Sequence, residues 1–338
     1  MKAGPLNPKA LRDKALEKLV EVGFEPEDAF LIADSLVEAE LKGLASHGLV
    51  RLKVYLERAR QGSITPKARP AALREGPATL ALDAQKGHGI PTGVRAMDRA
   101  IEKARVCGVG VVTVRNSSHF GAAAYFVERA TQAGIIGLAL SNADALVAPW
   151  GARERYLGTN PLAIGIPAGK EPPLIVDMAT SASAHGRILL AKERGEAIPL
   201  GWALDKEGRP TTDPAAALEG ALLPFGGAKG SALSLVIDLL CGPLAGALTG
   251  PFITPLFLQL DQPQGLGHLF MAIDISAFAD PQAFAEEMDK SLQRVRSLAP
   301  AAGFERVYLP GELERERKKQ NLERGLYLDT FVWEQLAT

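Results

Sequence analysis

Apolar positions along the chain follow two periods. Residues 8–62 repeat at helical spacing and predict three helices, with Pro8 and Pro26 suited to first turns and Gly23 to a helix end. "ATLALDA" (78–84) alternates, as a half-exposed strand does. "PTGVRAMDRAIEKARVCG" predicts a helix opened by Pro91, "GVGVVTV" (108–114) a buried valine-rich strand, "YFVERATQAG" a helix and "IIGLALSN" a strand. "PLAIGIP" and "PLIVDM" read as short strands, "KGSALSLVIDLLCG" as a buried helix and "PQAFAEEMDKSLQRVRSL" as an amphipathic one. From Glu312 the tail is highly charged, then ends in the apolar "GLYLDTFVWEQL". Strands alternating with helices predict an α/β core, with the helical N-terminal segment and the tail as a separate layer.

Composition narrows the class. The 338 residues have room for two or three cores. Hydrophobic residues at 47% and charged residues at 23% are ordinary for a soluble globular protein. A formal net charge of -1 argues against a global basic field, and aromatic residues do not interleave with basic patches, so neither nucleic acid nor an anionic membrane is an expected partner. Only Cys107 and Cys241 could pair, which fits a reducing compartment, the cytoplasm. "MKAGPLNPKALRDK" has no signal-peptide core. Residues 231–260 carry one charge, Asp238, but Gly242, Pro243, Gly250, Pro251 and Pro255 interrupt the run, so it predicts a buried helix and a loop rather than a membrane span. Scarce asparagine with frequent proline and arginine leans towards a heat-tolerant protein.

The strongest chemical signal is "SHGLVRLKVYLERARQG" (46–62). With Ser46 as N-cap, His47 enters the first helical turn, and His47, Arg51 and Tyr55 share one face by i, i+4, i+8 spacing. Leu49, Leu52 and Leu56 occupy the opposite face. An imidazole moves protons near neutral pH, and a guanidinium grips a carboxylate with two hydrogen bonds; an enzyme that oxidises a 2-hydroxy acid needs both. The same spacing also describes a solvated polar face. His119, in "RNSSHFGAA" (115–123), follows a buried strand, where open α/β sheets place active groups; the alternative is a loop histidine bonded to a nearby carbonyl.

Several glycine-rich turns compete as ligand sites. "GHGIPTG" (87–93) looks like a dinucleotide fingerprint, but its preceding strand alternates and the next strand ends in Arg115 and Asn116 with no acid for a ribose. "PFGGAKGSALSL" (224–235) is a better phosphate candidate, with Lys229 beside exposed amides at a helix start. "LPGELERE" (309–316) opens another helix at Gly311, and "DMATSASAHG" (177–186), with His185, allows close ligand approach. His88 and His268 read as ordinary surface or turn residues, and no Cys/His spacing supports a metal site.

"SHGLVRL", "RNSSHFGAAAYF", "GTNPLAIGIP", "DMATSASAHGRI", "IPLGWALDKEGRPTTDP" and "LPFGGAKGSALSL", in this order, resemble the successive motifs of the type 2 malate/lactate dehydrogenase family, which includes sulfolactate and ureidoglycolate dehydrogenases and diketogulonate reductase. The resemblance spans about Pro26 to Glu312. It implies a three-layer, non-Rossmann α/β fold around a mixed sheet, and segments 1–70 (packing with 311–338), 71–118 and the cofactor-binding 119–310. It implies a homodimer with its active site near the interface; the apolar tail, which a short segment would not bury alone, points the same way. It implies NAD or NADP, with NAD favoured, held by Val176, Asp177, Met178, Ala179, Ala228, Lys229, Pro310, Gly311 and Glu312. His47 and His119 become the catalytic candidates, and Ser46, Arg51 and Tyr55 the substrate-binding ones. Ala143, Ala228 and Ser231 depart from common family residues, which bears on cofactor preference, and Arg187 stands where subgroups differ.

The expected activity is therefore interconversion of a small 2-hydroxy acid, malate or lactate foremost, and its 2-oxo acid by hydride transfer with histidine acid/base catalysis. The alternatives are an imine or diketo-acid reductase of the same family, and a catalytically silent ligand-binding scaffold.

Overall fold

A computed structural model describes residues 2–337. The chain begins with β1 (Lys2–Leu6), α1 (Pro8–Glu21) and α2 (Pro26–Leu41). Asn7 caps α1 by accepting from the Lys9 and Ala10 amides, and Pro8 and Pro26 stand in the first turns, where their missing N–H costs nothing. The third helix does not start at Ser46. Two 3-10 turns, Ala45–His47 and Leu49–Arg51, come first, and α3 (Leu52–Arg60) follows. The cause is Glu40 on α2. Its Oε1 accepts the Leu49 amide at 2.9 Å, and its carboxylate lies where a Cβ at Gly48 would stand. Gly48 is therefore extended and breaks the helix, so His47 and Arg51 precede α3 instead of riding on it.

The sheet strands and their cover follow: β2 (Ala71–Glu75), β3 (Thr79–Asp83), α4 (Gly89–Cys107), β4 (Val109–Ser117), α5 (Ala124–Gln132), β5 (Ile136–Ser141), β6 (Leu162–Ile166) and β7 (Leu174–Met178). A small lobe comprises α6 (His185–Arg194), β8 (Ala203–Leu204), β9 (Pro210–Thr211), α7 (Pro214–Glu219) and β10 (Ala221–Leu222). Then come α8 (Ala228–Cys241), β11 (Leu266–Ile273), α9 (Pro281–Arg296), α10 (Glu312–Arg324), β12 (Leu326–Asp329) and α11 (Thr330–Ala337). The main sheet runs β2-β3-β4-β11-β5-β6-β7, with β3–β4 parallel and the other pairs antiparallel. Segments 71–118 and 119–310 thus share one sheet, joined where β4 pairs with β11.

Helices α4 and α5 cover one face through Met97, Ala100, Ala104, Phe126 and Val127; Gly110 on β4 lets α4 close in, since a Cβ there would meet the Ala100 carbonyl at 2.0 Å. Helix α8 covers the other face with Ile237 and Cys241 against Leu140 and Leu269. These are the three layers of a mixed α/β fold, and α2 packs outside α4. Helix α8 is buried on one side only: Leu235, Val236 and Leu239 are exposed, so its apolar composition does not make it an interior helix. Asp238, on its inner side, is buried, and burial pushes its carboxyl up to about 6. No described helix is long and apolar enough to cross a membrane.

The aliphatic side of the tail is buried within its own chain, while Tyr327 and Phe331 stay exposed. β12 pairs antiparallel with β1, and Leu326, Leu328, Val332 and Leu336 join the core of α1, α2 and α3. Most of the tail's aliphatic surface is thus covered without a second copy.

Arg58 joins α3 to the loop before β11. Fully buried, it donates from Nε to the Leu256 carbonyl (2.9 Å), from one terminal nitrogen to the Gln262 carbonyl (2.9 Å) and Ser63 Oγ (3.3 Å), and from the other to the Pro255 (2.6 Å) and Leu258 (3.1 Å) carbonyls. A loop of successive turns has few internal partners for its carbonyls, and this planar fork supplies them. Arg58→Met keeps the apolar stem but strands those acceptors. The expected loss is about 3–5 kcal/mol of stability, read by denaturant unfolding, whereas a loss below about 1 kcal/mol would show that the clamp is dispensable.

Candidate active site

The turn 45–51, helix α3 and the loop after β4 meet at one point. The His47 and His119 rings are nearly parallel (21° apart) with centroids 5.9 Å apart, so both imidazoles can touch one small molecule. Tyr55 on α3 is fully buried, and its hydroxyl lies 2.6 Å from His119 Nδ1. The Gly121 amide donates to the same nitrogen at 3.3 Å, and the His119 amide donates to Gln264 Oε1 at 3.0 Å. Ser46 Oγ lies 3.0 Å from His47 Nδ1, while its carbonyl accepts Arg51 Nε at 2.6 Å. Of the residues expected at the substrate, Ser46 and Tyr55 are thus engaged with the histidines. Arg51 stacks on Phe257, 4.9 Å to the ring centroid, and its terminal nitrogens have no hydrogen-bond partner among the described residues.

Electrostatics keep both imidazoles neutral at pH 7. Burial, with Arg51 adding, pushes His47 down to about 4. Burial first, then Arg51 and the neighbouring histidines, holds His119 well below its ordinary value. Burial raises the Tyr55 phenol, opposed by Arg51, and burial raises the Asp144 carboxyl, which Arg51 and Arg58 pull back. His185 opens α6; burial lowers its pKa, with Arg155 and then Arg51 contributing.

The roof of the site, residues 255–264, was not legible as functional. It supplies Phe257 over Arg51 and Gln264 to the His119 backbone, and Arg58 holds it. Nothing local in "PLFLQLDQPQ" signals this; an arginine on the buried face of α3 was the one available hint. His88 and His268 are also not surface or turn residues. His88 is buried, accepts the Ile90 amide at the start of α4 and packs edge-on to Tyr55, 4.4 Å between centroids. His268 is buried between Ser141 Oγ (2.8 Å) and Ser117 Oγ (2.9 Å) and stacks on Phe120, the residue after His119. Among the described residues no group of three His, Cys, Asp or Glu side chains could hold a metal ion.

The glycine-rich turns separate clearly. "GHGIPTG" is closed: the Gly89 amide donates to Ser118 Oγ, and a Cβ at Gly89 would meet the Ser118 carbonyl at 2.1 Å. No phosphate fits there. At the free edge of the sheet three other segments meet. Val176, Asp177 and Met178 end β7, and Ala179 follows, with 177–179 exposed. The next stretch pairs with 224–225, through Ser181 opposite Pro224 and the Phe225 amide on the Thr180 carbonyl, which brings Ala228 and Lys229 alongside. Gly311 seats against Ile175, with exposed Pro310 before it. Gly226 and Gly227 have positive φ, α8 starts without a side-chain cap, and Lys229 is exposed, so an anionic, extended cofactor fits this strip. One Asp177 oxygen accepts the Ala124 amide at 2.8 Å. Both Glu312 oxygens are used inside the chain, by Arg296 and by the Leu309 amide, so it shapes the turn.

The malate/L-lactate dehydrogenase family profile matches residues 6–337. The solved sulfolactate dehydrogenase of Methanocaldococcus jannaschii superposes with a TM-score of 0.93 at 39% identity, over 99% of this chain and 95% of that one. The (2R)-3-sulfolactate dehydrogenase (NADP(+)) of Chromohalobacter salexigens is 39% identical over 307 residues, 90% of each chain. The ureidoglycolate dehydrogenase (NAD(+)) of Escherichia coli O157:H7 is 35% identical over 321 residues, 95% of this chain and 91% of that one.

The depressed histidines set the pH response. Followed by NMR, His47 should titrate near 4, and Arg51→Gln should raise the midpoint by removing a positive neighbour; titration at the ordinary 6.5 in the unaltered protein would contradict the burial argument. His47, His88, His119 and His268 all bind protons more weakly folded than unfolded. Their contribution to stability is therefore full above the unfolded value of 6.5 and is lost as pH falls towards 4 and below.

Proposed function

The chain belongs to the malate/L-lactate dehydrogenase family, oxidoreductases of 2-hydroxy acids that use a nicotinamide cofactor, and from that premise we propose its substrate and the tasks of its site residues. The substrate is a small 2-hydroxy acid with a second anionic group, malate or 3-sulfolactate ahead of lactate. The observation that carries this reading is the pair of imidazoles 5.9 Å apart beside a guanidinium with unspent terminal nitrogens. Arg51 grips the C1 carboxylate with its fork, and the stacked Phe257 fixes the plane of that fork. In oxidation a neutral imidazole would take the hydroxyl proton while a bound nicotinamide would take up the C2 hydrogen with its electron pair, and C2–O would become a carbonyl; reduction would reverse each transfer.

The nicotinamide, when bound, supplies the hydride acceptor or donor. Val176, Asp177, Met178 and Ala179 would carry the cofactor along the sheet edge, Ala228 and Lys229 would take its phosphates, and Pro310 and Gly311 would close the strip, with Glu312 holding their turn. Asp177 favours NAD over NADP, whose extra phosphate this acid would repel.

An absorbance assay at the reduced-nicotinamide band, over malate, sulfolactate, lactate and their oxo acids with each cofactor, tests the reading. The doubly anionic substrates should give the highest kcat/KM with NAD. A preference for lactate or for cyclic imines would overturn it, the latter in favour of an imine reductase. Arg51→Lys should lower kcat/KM by about 2–4 kcal/mol, because the ammonium keeps the charge but not the fork. An unchanged value removes Arg51 from the carboxylate.

Two copies pair through the outer face of α8. Leu235, Val236 and Leu239 are exposed along it, Leu244, Leu248 and Phe252 extend the patch, and Phe257 and Leu258 on the roof loop are exposed too, which sets the interface beside the site. Light scattering at micromolar concentration should give twice the chain mass, and Val236→Glu with Leu239→Glu should halve it. A single-chain mass for the unaltered protein contradicts the pairing.

A further inference from the structure

The two imidazoles are held by different kinds of partner. At His119, Nδ1 receives the Gly121 main-chain N–H at 3.3 Å and lies 2.6 Å from the Tyr55 hydroxyl. A main-chain N–H is fixed in direction and can only donate, so Nδ1 must offer its lone pair. The phenol can rotate, so against a nitrogen that offers its lone pair it turns its O–H to donate. The single proton of neutral His119 then sits on Nε2. A proton on Nδ1 would point at the Gly121 N–H, so the imidazolium and the other neutral tautomer are both disfavoured by geometry, and burial beside Arg51 acts in the same sense.

At His47 the partner is the Ser46 hydroxyl, 3.0 Å from Nδ1. A hydroxyl both donates and accepts, and its hydrogen turns freely, so this contact survives whether or not Nδ1 carries a proton. His47 can therefore present a bare Nε2 or become imidazolium without losing its support. When a substrate carboxylate neutralises Arg51, one cause of the low His47 basicity is also removed.

We propose that Tyr55 and the Gly121 amide lock His119 as a fixed Nε2–H donor to the substrate C2 oxygen, and that His47 alone exchanges the proton with that oxygen. The assignment rests on the reaction proposed above. In oxidation the hydroxyl proton would pass to His47 Nε2 while a bound nicotinamide would take up the C2 hydrogen with its electron pair, and His119 would keep its own proton and hold the oxygen as it becomes a carbonyl. In reduction the His47 imidazolium returns the proton. His119 works as a neutral polarising group, and Tyr55 is a positioning residue that acts through it.

The chain has five histidines, so protein labelled with 15N-histidine gives a resolvable imidazole spectrum, and His119→Gln assigns the His119 signals. The expected spectrum shows a pyridine-like Nδ1 and a pyrrole-like Nε2 for His119 at neutral pH. Tyr55→Phe, which keeps the buried ring, should increase the opposite tautomer and lower kcat about tenfold. His47→Gln should lower kcat by about 10³-fold and abolish the acid limb of the oxidation profile, within the range of a lost proton-transfer group. A pyrrole-like Nδ1 on His119, or a His47→Gln enzyme with an unaltered pH profile, overturns the assignment. The nitrogen spectrum needs no substrate. If the unaltered protein oxidised no 2-hydroxy acid, the reading of the reaction would fall while the spectrum still decided the tautomer.

Discussion

The buried guanidinium of Arg58 is the constraint on which the site depends. It sits on the inner face of α3 and is solvated by four main-chain carbonyls and one hydroxyl instead of by water. Burying a cation this way is costly unless every donor is used, and here the loop is shaped around those donors. The consequence runs outward in two directions. The loop brings Phe257 over Arg51 and Gln264 to the His119 amide, while α3 itself carries Tyr55 to His119. One ordered contact thus sets three of the groups that hold Arg51 and His119.

The rest of the site follows from the partial burial of its rings. Burial holds these imidazoles below their ordinary range and lifts the Tyr55 phenol above its own, so at neutral pH the rings around the Arg51 guanidinium are uncharged. An unpaired cation in such a place is poised for an anion. The same charge makes the free enzyme a reluctant proton acceptor, and a bound carboxylate relieves that reluctance.

Much of this was legible in local patterns. Alternation and valine content located β3, β4 and β5, proline and glycine located the ends of α1 and α2, and the residues around His47 and His119 drew attention to the two histidines that the fold brings together. What stayed hidden depends on partners distant in the chain. The helix expected at Ser46 is broken by Glu40 on the preceding helix, and the clamp of Arg58 closes across about 200 residues. His268 looked isolated because its serines lie on β4 and β5, the two strands that flank its own. The tail looked too apolar for one chain because β1, which covers it, contains glycine and proline and has no strand pattern. α8 misled in the opposite direction, since an apolar helix on the outside of a sheet has the composition of a core helix.

The Gly121 amide also bears on how this protein can change over generations. Its φ of +76° is strained for a residue with a side chain, and a Cβ there would press on Ile90 and Ser35. Yet no replacement that the position could accept would delete the donor, because every amino acid except proline keeps its N–H. Proline, whose ring holds φ near about −65°, cannot adopt this conformation. Mutation can freely remodel the walls that choose a substrate, but the hydrogen bond that fixes the resting proton of His119 is written in the main chain, beyond the reach of a single codon.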